Sequence, residues 1–425
     1  MKYGLDDNPG PSGLLLYGAQ WWVVSLPSII IMGLVVSRLH FTDVAAQAWY
    51  MQKVFAVTGL ATVAQALFGH RLPLVVGPAS TLLVGIVASV GTGLGAMYTS
   101  IAIGGLVLCL LAFSGLLSRL RFFFTPRIVA VILVLIAFTL APTILRLMLG
   151  DGNRPAFHIL FSLGVVFSLV ICNMLLPGVW RSLTVIIGVA AGAAVYFAFT
   201  GLPELPEAGA AVSLPLLVAF EFHAGTLLSF LFCFLALMIN ELGSIESVGQ
   251  MLGADGMPGR IRRGVGLQGA ANLASGVLGV IGPVDYSMSA GVIGATGCAS
   301  RLTLVPAGLG LAACAAFPSF VMGLALIPGA VMGALMLYLM ASQLASGLGM
   351  LVQERGVTSF ESGLCVGLPL MIGLMVAFVP PQAFNAFPGM LRPIVGNGFV
   401  MGTLAVILLE HVVFQNALQA KAKDD

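Results

Sequence analysis

The chain has 425 residues, of which 59% are hydrophobic and only 8% charged, and it carries a formal net charge of +2. An ordinary soluble domain is roughly a quarter charged, so a soluble enzyme, a nucleic-acid binder and a disordered scaffold are excluded, and most of the surface is expected to face lipid. The 53 glycines and 22 prolines fit membrane helices that pack closely and are broken in places.

In chain order, Met1 to Pro11 is polar, with Asp6 and Asp7 but neither a basic leader nor a small-residue cleavage site, so the first span is expected to act as its own insertion signal. A helical span takes about 20 apolar residues. Such runs lie near 13–36, 49–68, 74–91, 95–117, 127–149, 156–176 and 180–199. A second set follows near 225–250, 265–281, 284–298, 302–321, 323–350, 360–379 and 394–414. The expected fold is therefore an all-α polytopic membrane protein of fourteen segments. With the N-terminus in the cytoplasm, the inner side holds Lys2, Arg71, Arg119, Arg121, Arg127, Arg181, Arg260, Arg262, Arg263, Arg301, Arg355, Lys421 and Lys423. The outer side holds only Arg38, Lys53, Arg146, Arg154 and Arg392. That bias is what the positive-inside rule predicts and puts both termini in the cytoplasm. The stretch 201–225, with Glu204, Glu207 and Glu221 but no Lys or Arg, reads as an outer loop. The six cysteines (Cys109, Cys172, Cys233, Cys298, Cys314, Cys365) lack disulfide or zinc spacing and read as small packing residues.

An internal repeat stands out. Val75-Val76-Gly77-Pro78-Ala79-Ser80 and Val280-Ile281-Gly282-Pro283-Val284-Asp285 share a pattern 205 residues apart, in the third segment of each set of seven. Seven segments per half give the halves opposite orientation, and matching Gly/Pro-interrupted segments in inverted halves point to a transporter's substrate site. Pro78 and Pro283 cannot continue a helix but suit a first turn. Each segment is expected to run extended to its Gly-Pro and then form a half-helix, whose free N–H groups face a small polar ligand. Ser80 and Asp285 hold equivalent places there and also read as helix caps.

Buried acids single themselves out, because a carboxylate near the bilayer centre costs about 2.5–3.5 kcal/mol even on the lenient insertion scale. Glu241 ends the apolar run from Leu227, with Asn240 beside it, and reads as functional. Asp285 reads as either a cap or a coupling group. Glu246 reads as a group facing the cytoplasm or bonding between helices, and Glu361 and Glu410 as structural residues at span ends. Gln20-Trp21-Trp22 is an unusual polar-aromatic triplet in the first span. The five histidines (His40, His70, His158, His223, His411) form no metal-ligand cluster, and nucleotide-binding, nucleophile-elbow and aspartate-rich motifs are absent from the sequence. Transport without nucleotide hydrolysis, a metal or another cofactor is what remains.

At this point the chain resembles the nucleobase–ascorbate transporter (nucleobase:cation symporter-2) family, which includes bacterial uracil and xanthine permeases. The resemblance rests on Tyr3-Gly4-Leu5-Asp6-Asp7 with Pro9, on Gly69 through Gly77, on Arg263-Gly264, and above all on Gly291, Thr296-Gly297 and Ser300-Arg301. It implies a 7+7 inverted repeat with half-helices in segments 3 and 10. It also implies a core domain (1–117 and 201–322) and a gate domain (118–200 and 323–425). A homodimer in the cell's inner (plasma) membrane, importing a base with a proton or a sodium ion by an elevator-like movement, would follow.

The substrate positions depart from the family pattern. Its span-1 Gln-His is here Gln20-Trp21, and its span-10 pair before the pattern glycine is Met288-Ser289. Counting back from Arg263-Gly264 without gaps puts Asn240 at the acidic span-8 position, three before Gly243; Glu241 falls one residue late, and a shifted register offers Glu246. The resemblance thus implies a base held by Gln20, Trp21, Ala79, Ser80, Thr81, Asn240, Glu241, Ser244, Asp285, Ser287, Met288 and Ser289. A buried carboxyl favours its neutral form, so Glu241 or Asp285 is the expected proton carrier. Two other readings stay open: an anion transporter of the sulfate/bicarbonate type, and a non-transporting receptor.

Overall fold

Long apolar runs become helices in lipid because only then does each backbone N–H and C=O find a partner within its own segment. The computed structural model describes residues 1–117, 124–150, 154–177, 184–202 and 215–415, and it is 78% helical. Arg119, Arg121, Arg181, Lys421, Lys423, Glu204 and Glu207 lie outside the described residues.

The first half contains α1 (Gly10–His40), α2 (Val44–Leu67), β1 (Val76–Pro78), α3 (Ser80–Ser89) and α4 (Leu94–Ser114). It continues with α5 (Pro126–Thr139), α6 (Ala141–Leu149), α7 (Pro155–Leu175) and α8 (Thr184–Thr200). The second half contains α9 (Ala224–Leu252), α10 (Met257–Leu278), β2 (Pro283–Asp285), α11 (Ser289–Thr296) and α12 (Leu304–Cys314). After these come α13 (Pro318–Ala325), α14 (Gly329–Gln353), α15 (Phe360–Phe378) and α16 (Gly398–Leu408).

The chain is a multi-pass membrane protein. Among the described residues seven helices are long and apolar enough to span, and an eighth joins them if Arg301–Cys314 and Pro318–Ala325, bent by 80°, make one span. That is fewer than the fourteen segments expected, for a physical reason. The segment after each Gly-Pro is cut short by its extended stretch. The helices α2 and α10 hold buried polar side chains such as Gln65, Gln268 and Asn272, which lower their hydropathy.

Two sets of helices pack among themselves. In one, α4 lies along α10, α2 along α12, and α9 against α3 and α4. Glycine permits the closest of these contacts: a Cβ at Gly105 would strike the backbone of α10, and one at Gly269 would strike the backbone of α4. In the other set, α14 packs on α5, α6 and α7, and α15 on α5 and α16. Buried Glu410 closes the end of the second set, its Oε1 accepting from Thr125 Oγ1 at 2.5 Å and lying 3.3 Å from Arg127 Nη1. That partnership matches the structural role expected of a span-end acid.

Beside the first set the two halves of the chain meet through β1 and β2, which pair antiparallel with Val76 opposite Asp285, Gly77 opposite Val284 and Pro78 opposite Pro283. The Ala79 N–H donates to Gly282 O and the Tyr286 N–H to Val75 O, at 2.9 and 2.8 Å. Neither strand could remain extended in a dry interior alone; each supplies the other's backbone partners.

Candidate functional site

A cavity of about 400 Å³ opens where the strand pair, α1 and α9 on one side face α5 and α14 on the other. The helix α3 starts at Ser80 directly after β1, so the first-turn N–H groups of Ser80 and Thr81 lack intrahelical partners and point their dipole end at this space. The Thr81 hydroxyl is buried and has no partner among the described residues. On α9, Ala236, Asn240, Gly243 and Ser244 repeat at helical spacing and form one cavity-lining face. Beyond β2, the turn before α11 contributes Tyr286, Ser287 and Met288. Met32, Ile132, Ile136, Ile239, Leu339 and Met340 supply apolar walls. Among the described lining residues there is no Asp, Glu, His, Lys or Arg.

The sequence-derived site divides accordingly. Ser80, Thr81, Asn240, Ser244, Ser287 and Met288 line the cavity. Ala79 is fully buried at the N-cap of α3, its N–H committed to Gly282. Ser289 is buried too, accepting the Val75 N–H at 3.1 Å and so tying the two halves together. Gln20 and Trp21 do not reach the cavity. Trp21 is buried and Gln20 half-buried, and α1 touches the cavity instead at Ser28 and Met32. Ser28 is eight residues on from Gln20, which is about 12 Å along a helix.

Glu241 and Asp285 lie behind the cavity wall. One residue of helix is a turn of roughly 100°, so Glu241 points away from Asn240's face and toward β2. Its Oε2 accepts the Asp285 N–H at 3.0 Å, while Ser244 Oγ donates to the Asp285 carbonyl at 3.2 Å. Held this way, Asp285 stays extended. It is a strand residue, not a cap: α11 begins only at Ser289, with Met288 at its N-cap. Ser80 likewise caps nothing, since the N-cap of α3 is Ala79 and no side chain bonds there.

Several cavity residues had no place in the sequence reading. Tyr286 donates its hydroxyl to Pro78 O at 3.0 Å, with its ring where a Cβ on Gly77 would have to sit. Gln343 of α14 spans the two sides of the cavity, accepting from Ser80 Oγ and donating to Leu133 O, both at 3.4 Å. A glutamine in the apolar run 323–350 is the same signal that drew attention to Gln20. His70, in the connection after α2, lies 3.0 Å from Asp285 through Nε2 and is fully buried. Sequence offered no hint of that contact, which joins residues in different halves.

A family model described as "Permease family", the xanthine–uracil permeases, matches residues 12–382. The nucleobase transporter PlUacP of Paenibacillus larvae is 26% identical over 417 residues, covering 94% of each chain. The xanthine permease of Bacillus subtilis is 24% identical, covering 97% of this chain and 96% of its own. The uric acid transporter UacT of Escherichia coli is 22% identical, covering 97% and 88%. Among solved structures, the transmembrane domain of a cyanobacterial bicarbonate transporter, BicA, matches with a TM-score of 0.65 at 16% identity, over 87% of this chain and 97% of that one. Murine Slc26a9, an anion transporter, matches with a TM-score of 0.63 at 14% identity, over 97% and 70%. These structural likenesses speak for the fold.

Proposed function

The chain belongs to the Permease family of xanthine–uracil carriers, the nucleobase–ascorbate transporters, and is a permease rather than an enzyme; we propose that it imports a nucleobase, either uracil, xanthine or a related purine, coupled to protons. One observation carries the choice of substrate: the cavity combines two amides, several hydroxyls and free helix N–H groups with apolar walls and no charged side chain among the described lining residues. A flat, neutral heterocycle uses all of these. Its ring faces lie on Met32, Ile136 and Met340, its carbonyl oxygens accept from the start of α3 and from Ser287, and its N–H edge donates to Asn240. Gln20, Trp21, Ala79, Glu241, Asp285 and Ser289 act around the ligand by shaping the two strands and the segments beside them.

The transport cycle we infer is elevator-like, with 1–117 and 201–322 as the moving core and 118–200 with 323–425 as the gate. In its favour, core elements line one side of the cavity and α5 and α14 the other. A fourteen-segment 7+7 inverted repeat is supported by the two long helix pairings. Exchanging the halves turns α4 with α10 into α12 with α2, the other extensive pair. The distribution of basic residues favours both termini in the cytoplasm, and a homodimer in the plasma membrane would follow the family pattern.

The fold's likeness to anion carriers favours a second reading, uptake of a small anion at the same half-helix. A thermal-shift screen of the purified protein against uracil, xanthine, hypoxanthine, sulfate, bicarbonate and dicarboxylates separates the two. Proteoliposome uptake of the radiolabelled bases under an imposed pH gradient then tests transport. Stabilisation by anions and not by bases would overturn the nucleobase reading.

A further inference from the structure

A second cavity, of about 610 Å³, opens between the two sets of helices on the side that the basic residues assign to the outside. Both cavities lie along the same helix faces. On α3, Ser80 and Thr81 line the inner cavity, while Val84, Val87 and Ala88, one and two turns on, line the outer one. On α5 and α6, Ile132 and Ile136 line the inner cavity, and Thr139, Thr143 and Arg146 continue the spacing into the outer one. One seam therefore carries both, and a solute coming from outside meets the outer cavity first.

Their chemistry differs. The inner cavity has no charged side chain among its described lining residues, whereas Arg146, Arg392 and His223 line the outer one, with no Asp or Glu among the described lining residues. Arg146 is exposed in the last turn of α6. Arg392 is exposed as well, and gives Nε to Phe387 O and Nη2 to Asn385 O, both at 2.9 Å, which leaves Nη1 to face a ligand. His223 Nδ1 accepts the Thr226 N–H at 3.2 Å, so the proton of the neutral ring sits on Nε2 as a donor. Glu221, two residues before His223, lies against Gly93 and Gly95 and is not a lining residue. A concave wall with cations of one sign focuses its field and concentrates anions. Val84, Val87, Phe378 and Pro380 add apolar surface for a ring.

We propose that the outer cavity is an entry site for ionised bases: Arg146 and Arg392 hold a planar oxopurine that has lost a ring proton before it moves along the seam to the inner cavity. The site favours acidic oxopurines over bases that stay neutral at the same pH, a selection by charge made ahead of the inner cavity. The inference deepens the nucleobase reading above by naming the members of that class that enter fastest, and its principal test needs no transport.

That test labels a thiol placed in the outer cavity. Ala88 is half-buried on one wall, and exposed Gly389 on the other wall offers a second reporter. Purified Ala88→Cys and Gly389→Cys proteins are treated with thiosulfonate reagents carrying either a sulfonate or a trimethylammonium group, each rate being referred to that with a free thiol. The sulfonate reagent should react about tenfold faster. Adding Arg146→Gln should bring the two rates together, and Arg146→Lys should keep them apart. Salt at about 1 M, where the screening length is about 3 Å, should erase the difference. Urate, ionised at neutral pH, should slow labelling at concentrations where neutral hypoxanthine does not. In proteoliposomes at a pH that ionises xanthine, Arg146→Gln should raise the KM for xanthine about tenfold more than that for hypoxanthine. Equal labelling by the two reagents, equal protection by urate and hypoxanthine, or a KM that rises alike for both bases would each overturn the proposal. The expected labelling without uptake of any base would instead overturn the nucleobase reading.

Discussion

Replacing Glu241 by alanine and by glutamine separates its structural duty from its ionic one. Its Oε2 accepts the Asp285 N–H inside a region from which water is excluded. Alanine leaves that amide without an acceptor, at a cost of about 1–3 kcal/mol. Glutamine keeps a carbonyl oxygen in the same place. At about 2–4 °C per kcal/mol for domains of a few hundred residues, Glu241→Ala should unfold roughly 2–12 °C below the native protein, and Glu241→Gln close to it. Fluorescence-monitored thermal unfolding in detergent measures both. In proteoliposomes Glu241→Gln should still bind base but no longer respond to outside acidification, whereas native uptake rises as the outer pH falls. Equal stability of the alanine and glutamine variants, or gradient-driven uptake unchanged in Glu241→Gln, would refute the reasoning.

Further outcomes follow from the same geometry. Asn240→Ala removes a ligand hydrogen bond of about 0.5–1.5 kcal/mol, so base affinity by equilibrium binding should fall about two- to twelve-fold with thermal stability unchanged. Gly105→Leu forces α4 from α10, an overpacking cost of about 1–3 kcal/mol or more; size-exclusion profiles should show aggregated or poorly expressed protein. Glu410→Ala leaves Arg127 partly buried beside no counter-charge and should destabilise more than the double replacement of Arg127 and Glu410 by apolar residues, as read by thermal unfolding. Gln343→Ala should change base selectivity in competition uptake, since its amide is the polar group that α14 presents beside Ser80.

The strand-and-half-helix design was legible in the sequence because proline permits few alternatives: Pro78 ends β1 as expected, whereas Pro283 opens β2 instead of closing an extended stretch. The polar face of α9 was legible as well, since Asn240, Gly243 and Ser244 follow helical spacing. Less legible was the direction in which a neighbouring residue points. Glu241 sits next to Asn240 in sequence, yet faces the opposite partner. The second half-helix also started later than its Gly-Pro suggested, because Asp285 bonds through its backbone to Glu241 and Ser244 and so stays in the strand. Gln20 and Trp21 were chosen from the family's pattern, but α1 reaches the cavity two turns further on, where Pro27 and Ser28 interrupt the apolar run. His70 stayed hidden because its meaning comes from a residue 215 positions away, a distance that no local pattern reports.

The pairing of β1 with β2 also bears on how the protein is made. Val76 leaves the ribosome 209 residues before Asp285, which at about 5–20 residues per second is roughly 10–40 s. Through that interval the first strand has no partner for its backbone, so the newly inserted N-terminal half must wait unfinished in the membrane, sheltered by the insertion machinery or by water at its edge. Expressed alone, that half should be degraded, and co-expression with the C-terminal half should rescue it.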